Sequence, residues 1–273
     1  MWEAAAIHIL VGCTFLFEAE WDTHAVVMVE PHSTLVDEIS QSQFSITGDR
    51  ASTVYLDSFG NRCRRVDIAA GVTQIDFRAV VVGHDDPASG QEHLIEIAPG
   101  HLPADALTYL LPSRFCESDQ IADVAFGQFG HLPTGWSRVQ AISTWVHDAV
   151  HFDYANASPM HTAMSVLATR TGVCRDFTHL GIALLRALNI PARYVFGYLP
   201  DIGVESTGAP ADFCAWIEVY LGDGWHTVDP RNNTRRFGRV VIGRGRDAAD
   251  VAMITTFGHV ELTSMSVVAE ASY

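Results

Sequence analysis

The segment Thr171-Gly-Val-Cys174-Arg-Asp-Phe177 places a cysteine at the start of the most regular amphipathic stretch in the chain. Phe177, Leu180, Gly181, Leu184, Leu185 and Leu188 recur at helical spacing, and Pro191 ends the pattern, so the spacing predicts a helix over 174–189. At a helix start the first amides lack intrahelical partners and the dipole adds positive potential. Both favour thiolate over thiol. Cys174 is therefore a candidate nucleophile, with Gly172 read as a flexible approach to it. The plainer alternative is a small packing residue, because free Cys is usually buried and inert. Spacing alone leaves both readings open.

A thiolate that attacks an acyl group normally works with a base, usually His held by a carboxylate. The run Asp212-Phe-Cys214-Ala-Trp-Ile-Glu218-Val-Tyr220, followed by Trp225-His-Thr-Val-Asp229, reads as a hairpin across Gly222-Asp-Gly224. With a two-residue turn, Cys214, Trp216, Glu218, Trp225, Thr227 and Asp229 share one face, and His226 points to the other. Parity thus puts Cys214 and Asp229 on the same side, although a simple register leaves them several residues apart.

The elements around this segment change character along the chain. Ile7–Glu20, His24–Glu30, Thr53–Asp57, Arg62–Ala69 and Val72–Val82 read as strands, with Ser58–Asn61 as a hairpin loop. Residues 1–98 are thus expected to form a β-sandwich-like domain. Pro99, Pro103 and Pro112 mark a connector over 99–118. Helical spacing follows at Asp119–Phe129, Trp136–Val150 and Met160–Arg170. Strands are then expected at Ala192–Leu199, Phe213–Leu221, Trp225–Asp229, Arg239–Ile242 and His259–Ala269. The span 119–273 is read as the second domain.

Several ordered motifs in that second span resemble the core of the bacterial transglutaminase-like superfamily. They are Gly172-Val-Cys-Arg-Asp-Phe-Thr-His-Leu180, Asn189-Ile-Pro-Ala-Arg-Tyr-Val195, Gly197-Tyr-Leu199, Cys214-Ala-Trp-Ile-Glu-Val-Tyr-Leu221 and Gly224-Trp-His-Thr-Val-Asp-Pro230. Tyr109–Cys116 and the β-rich N-terminus resemble the two-part members of that group. The resemblance implies an α+β fold: an N-terminal antiparallel β domain, then a papain-like core with helices packed on an antiparallel sheet. It also implies cysteine-dependent acyl transfer or amide and peptide hydrolysis through a thioester. In that pattern Cys174 is the nucleophile and Asp229 the orienting acid, and the base belongs at position 214. Here position 214 is Cys.

Three readings of that departure stand side by side. The chain is an enzyme with an atypical site, since loss of a positioned acid/base costs on the order of 10²–10⁴-fold. Alternatively it is a silent homologue that binds or scaffolds. Or Cys174, Cys214 and Asp229 form a redox or soft-metal site. His151, His161, His179 and His226 are candidates to replace the missing base, with His179 about 140° around the helix from Cys174. Asp176 is read as a first-turn acid favoured by the dipole.

Composition narrows the partners. The chain has 273 residues, 17 basic and 32 acidic, for a formal charge of −15; every basic residue is Arg. Such a charge excludes nucleic acid and an anionic membrane surface as expected partners. Without Lys, self-cross-linking through isopeptide bonds is not expected. Ala4–Phe17 is too short to span a bilayer and lacks a basic flank, so a cytoplasmic protein is read. Five scattered cysteines without a CxxC pair indicate neither a disulfide framework nor a zinc cluster. No cofactor and no resident metal is expected, and a peptide or amide substrate is. Arg231, Arg235, Arg236, Arg239, Arg244 and Arg246 read as a solvated or interdomain patch ahead of an anionic-substrate site. Cys13, Cys63 and Cys116 read as structural.

Overall fold

The computed structural model describes residues 7–84, 91–205, 208, 210–222 and 224–272. The N-terminal part supplies strands β1 (His8–Ala19), β2 (Thr23–Val27), β3 (Ile39–Ile46), β4 (Thr53–Leu56), β5 (Arg62–Ile68) and β6 (Gly71–Val82). Short turns follow, with α1 (Ala104–Leu107), then α2 (Ala122–Phe129) and α3 (Trp136–Ala149). The remainder runs β7 (His151–Phe152), α4 (Ala163–Thr169), β8 (Thr171–Gly172), α5 (Cys174–Ala187), β9 (Ala192–Tyr198), β10 (Cys214–Leu221), β11 (Gly224–Val228), β12 (Val240–Gly245), β13 (Ile254–Thr256) and β14 (Glu261–Ser272). The fold is α+β, and the longer sheets are antiparallel.

Among the described residues three sheets have four strands, in the orders β14-β1-β6-β3, β13-β2-β5-β4 and β11-β10-β9-β12. Alternation in β1 buries Ile9, Val11, Cys13, Phe15 and Phe17, and in β6 it buries Ile75, Phe77, Ala79 and Val81. Four strands have no signal in the sequence, among them β7 and β8 of two residues each. β3 is mostly exposed and polar, so it lacks an alternating apolar signal, and β13 is only three residues long.

The expected grouping of the last strands with the second domain is corrected by the ladders. β14 pairs with β1 from His8↔Ser272 to Glu18↔Glu261, and β13 pairs with β2. The C-terminal strands therefore complete the two N-terminal sheets, because β1 and β2 otherwise present open edges.

The third sheet lies between α5 and the N-terminal part. Its odd-numbered β10 residues, Ala215, Ile217 and Val219, are buried, and Ile217 abuts Gly181 so closely that a Cβ there would lie 2.6 Å from the Ile217 Cδ1 atom. On the opposite face Trp216, Val195 and Val241 form a small buried cluster with Leu35 against it. Tyr198 reaches across to the Val29 carbonyl at 2.9 Å. No helix among the described residues is long and apolar enough to cross a membrane.

Candidate active site: a paired thiol at a helix start

Cys174 is the first residue of α5, as its position in the amphipathic stretch predicts. The cap is built by Asp176, whose Oδ2 accepts the Val173 amide at 2.9 Å. That carboxylate is fully buried, and it needs the space left by Gly172, where a Cβ would lie 2.5 Å from the Asp176 Cβ. Gly172 is therefore required for close packing rather than for a flexible approach. Its strand, β8, pairs in parallel with β7, with Phe152 opposite Gly172. This ladder carries Tyr154, two residues on, to the mouth of the site.

The hairpin has the register that a two-residue turn requires. Glu218 lies opposite Thr227 and Tyr220 opposite Trp225. Continued by one step, the ladder sets Asp229 opposite Trp216, so Cys214 and Asp229 are diagonal neighbours on one face. His226 points to the other face, where its Nε2 lies 3.2 Å from the Leu221 carbonyl.

The two thiols are neighbours: Cys174 Sγ lies 4.0 Å from the Phe213 carbonyl and Cys214 Sγ 3.8 Å from the Ala215 carbonyl. A hydrogen bond from the Cys214 thiol to a Cys174 thiolate is the main cause that holds the Cys174 thiol below its ordinary value. Burial acts against it, the Ala215 backbone supports it, and the Asp212 and Asp229 charges oppose it. The same hydrogen bond, then burial and the negative charge of Cys174, push Cys214 well above the ordinary thiol value. Of the two, Cys174 is the more readily ionised and Cys214 the one that holds its proton more tightly. Both cysteines are free and half-buried.

Asp229 is 7% exposed, and its oxygens are held by Asn232 and Arg239. Oδ1 accepts the Asn232 amide at 2.9 Å, and Oδ2 accepts the Asn232 side chain at 2.7 Å and Arg239 Nη2 at 2.8 Å. Burial raises the carboxyl, but Arg239 and the Asn232 hydrogen bonds outweigh it, and the group sits below the usual carboxylate range. Arg239 also lies over the Trp216 ring, 5.0 Å from its centroid. The arginine cluster is thus partly internal, and Arg239 ties the buried Trp216 of the core to Asp229. Arg244 fits the interdomain reading, bridging Glu218 in β10 and His32. Among the described residues no group of three or more His, Cys, Asp or Glu is arranged to hold a metal ion.

None of the candidate histidines faces the sulfurs. His179 is fully buried, stacks on Phe115 at 5.2 Å and accepts the Ala248 amide at 3.2 Å; burial and two arginines press it well below the usual imidazole value. His161 lies toward Asp176, at 3.6 Å from Oδ2. His151 is exposed in β7.

A cleft of about 860 Å³ opens on the thiol pair, with Tyr154, Asp212, Arg231 and Asn232 on its walls and no His among its lining residues. Two of these walls escaped the sequence reading. Asp212 stands two residues before Cys214, and Tyr154 is brought in only by the β7–β8 ladder. Tyr154 Oη lies 3.5 Å from Asp212 Oδ2. Burial, Asp212 and the two cysteines push the phenol up to about 12, and burial raises the Asp212 carboxyl.

The α+β fold, with a cysteine opening a buried helix beside a strand-borne carboxylate, defines a thiol-centred papain-like core. Residues 123–230 match the transglutaminase-like superfamily, so this span of the chain carries a transglutaminase-like core. It is similar over 98% of its length to a crystal structure described as a "putative cysteine protease" from Cytophaga hutchinsonii, with 28% identity, 91% of that chain covered and a TM-score of 0.85. An uncharacterized protein of Mycobacterium leprae is 32% identical over 117 residues, 42% of each chain. An uncharacterized protein of Mycobacterium bovis is 42% identical over 99 residues, 32% of this chain and 30% of that one. The alignments thus span less than half the length of these curated relatives.

Proposed function

We propose that the protein performs cysteine-dependent acyl transfer or hydrolysis of a peptide, amide or activated ester through a thioester on Cys174. The observation that carries this reading is the thiolate-favouring pair at the start of α5, open to a cleft of about 860 Å³. In the proposed mechanism the Cys174 thiolate attacks the carbonyl carbon, and the developing oxyanion meets the Cys174 backbone amide at the helix start. Asp229, clamped by Asn232 and Arg239, sets the local field, and Arg239 also lies over the buried Trp216 ring. Cys214 keeps the nucleophile ionised but is a poor stand-in for imidazolium as an acid, so amine leaving groups depart slowly. Water or an acceptor then releases the acyl group.

The test is acylation by p-nitrophenyl acetate followed by mass spectrometry of the intact protein and its peptides. The expected result is a single acetyl group on Cys174, absent in Cys174→Ser. A folded protein that carries no acetyl group on Cys174 overturns the reading.

A further inference from the structure

We propose that Cys174 and Cys214 act as a thiol–disulfide exchange pair toward small carboxylate-bearing disulfides that enter the cleft. The proposal rests on Cys174 being the nucleophile of the cleft, but it does not depend on acyl chemistry. Two free thiols line one cleft, Cys174 at a helix start and Cys214 on the first residue of a strand, and the Cys174 sulfur lies 4.0 Å from the carbonyl of Phe213, the residue before Cys214, so the two side chains are neighbours. A disulfide needs its sulfurs at about 2.05 Å.

The leaving groups decide which substrates suit the site. An amine must be protonated as it departs, and the cleft has no His among its lining residues to do so. A thiolate leaves as an anion, because an ordinary thiol ionises near 8.5. The missing base is therefore a handicap for amides and none for disulfides. Arg231, whose guanidinium lies 3.9 Å from the Phe152 ring centroid, presents a cation on the same wall for a substrate carboxylate. The other cysteines offer no competition. Cys13 and Cys116 are fully buried and Cys63 is 3% exposed.

The step balances as follows. The Cys174 thiolate attacks one sulfur of R–S–S–R′, forming Cys174–S–S–R and expelling R′–S⁻, which takes up the Cys214 proton. The Cys214 thiolate then attacks the Cys174 sulfur, closing the Cys174–Cys214 disulfide and expelling R–S⁻. The substrate gains two electrons and the protein loses them. A low-molecular-weight thiol in excess reduces the protein again.

The probe is 5,5′-dithiobis(2-nitrobenzoate), an aromatic disulfide with carboxylates, added to native, fully reduced protein. The wild type is expected to release two equivalents of thionitrobenzoate, retain none, and yield a Cys174–Cys214 cross-linked peptide. Cys214→Ser is expected to release one equivalent and keep the other on Cys174. Release of one equivalent by the wild type, with a stable adduct on Cys174, overturns the exchange pair while leaving the nucleophile intact. No release from native protein overturns both. A disulfide from Cys174 to any other cysteine also overturns the proposal.

Discussion

One face of β10 carries two polar clusters of opposite character, four residues apart. At Glu218 the carboxylate lies between Arg193 and Arg244, with Arg193 Nε at 2.6 Å, Arg244 Nε at 2.9 Å and Arg244 Nη2 at 3.0 Å. Arg244 continues to His32, which burial and Arg244 push down to about 4. Every charge there meets an opposite one, and the cluster joins the third sheet to the N-terminal part. At Cys214 two neighbouring thiols shift in opposite directions, Cys174 down and Cys214 up, near the Arg239-paired Asp229, and they face a cleft. A balanced, closed cluster resists change; an unbalanced, open one has a proton and a nucleophile to give. The difference separates structure from chemistry on a single strand.

The sharpest way to alter that contrast is to supply the acid that the open cluster lacks. Cys214→His places imidazole between Cys174 and the Asp229 side of the site. The expected outcome is a gain in amide hydrolysis of about 10²–10⁴-fold over wild type, measured with a chromogenic peptide amide. No gain from a folded variant would show that more than the base has been lost.

Breaking the closed cluster is expected to act on stability alone. Glu218→Gln strands two arginines, and removing one partner of a buried pair costs about 3–5 kcal/mol. That corresponds to a Tm loss of roughly 10 °C by calorimetry, with the Cys174 alkylation rate unchanged. A large change in alkylation would erase the distinction between the two clusters.

Arg239→Gln tests the link between the buried Trp216 and Asp229, with a smaller expected cost of about 1.5–3 kcal/mol at neutral pH. In the wild type the folded Asp229 carboxyl lies below its unfolded value of about 3.9, so its stabilisation is present above that pH and is lost as pH falls through the folded value. Without Arg239, burial dominates and the folded value rises. The Tm gap between variant and wild type is therefore expected to be widest near neutrality and to narrow in acid. A gap that widens in acid would contradict this assignment.

Much of the site was legible because period and parity are strong constraints. Leucine spacing located α5 and its first residue, and the two-residue turn fixed which side chains of the hairpin share a face. Apolar richness marks β1, the hairpin-loop composition at 58–61 marks β5, and partial alternation marks β6. What escaped depends on contacts that local pattern does not encode. β14 pairs with a strand at the other end of the chain. Arg239 sits in an arginine-rich run that has no periodic signature. Tyr154 reaches the cleft only through a two-residue parallel ladder, and β3 shows mostly polar residues to solvent. Gly172 was singled out for freedom, yet its role is to leave room for the Asp176 carboxylate.

Alkylation of Cys174 by iodoacetamide, followed peptide by peptide across pH, tests the central claim most directly. In the wild type the rate is expected to reach half its maximum below the ordinary thiol value of about 8.5. In Cys214→Ala, which removes the hydrogen bond to the sulfur, that midpoint is expected to move upward. A wild-type midpoint at or above the ordinary value, or one indifferent to Cys214, would contradict a nucleophile poised by its neighbouring thiol.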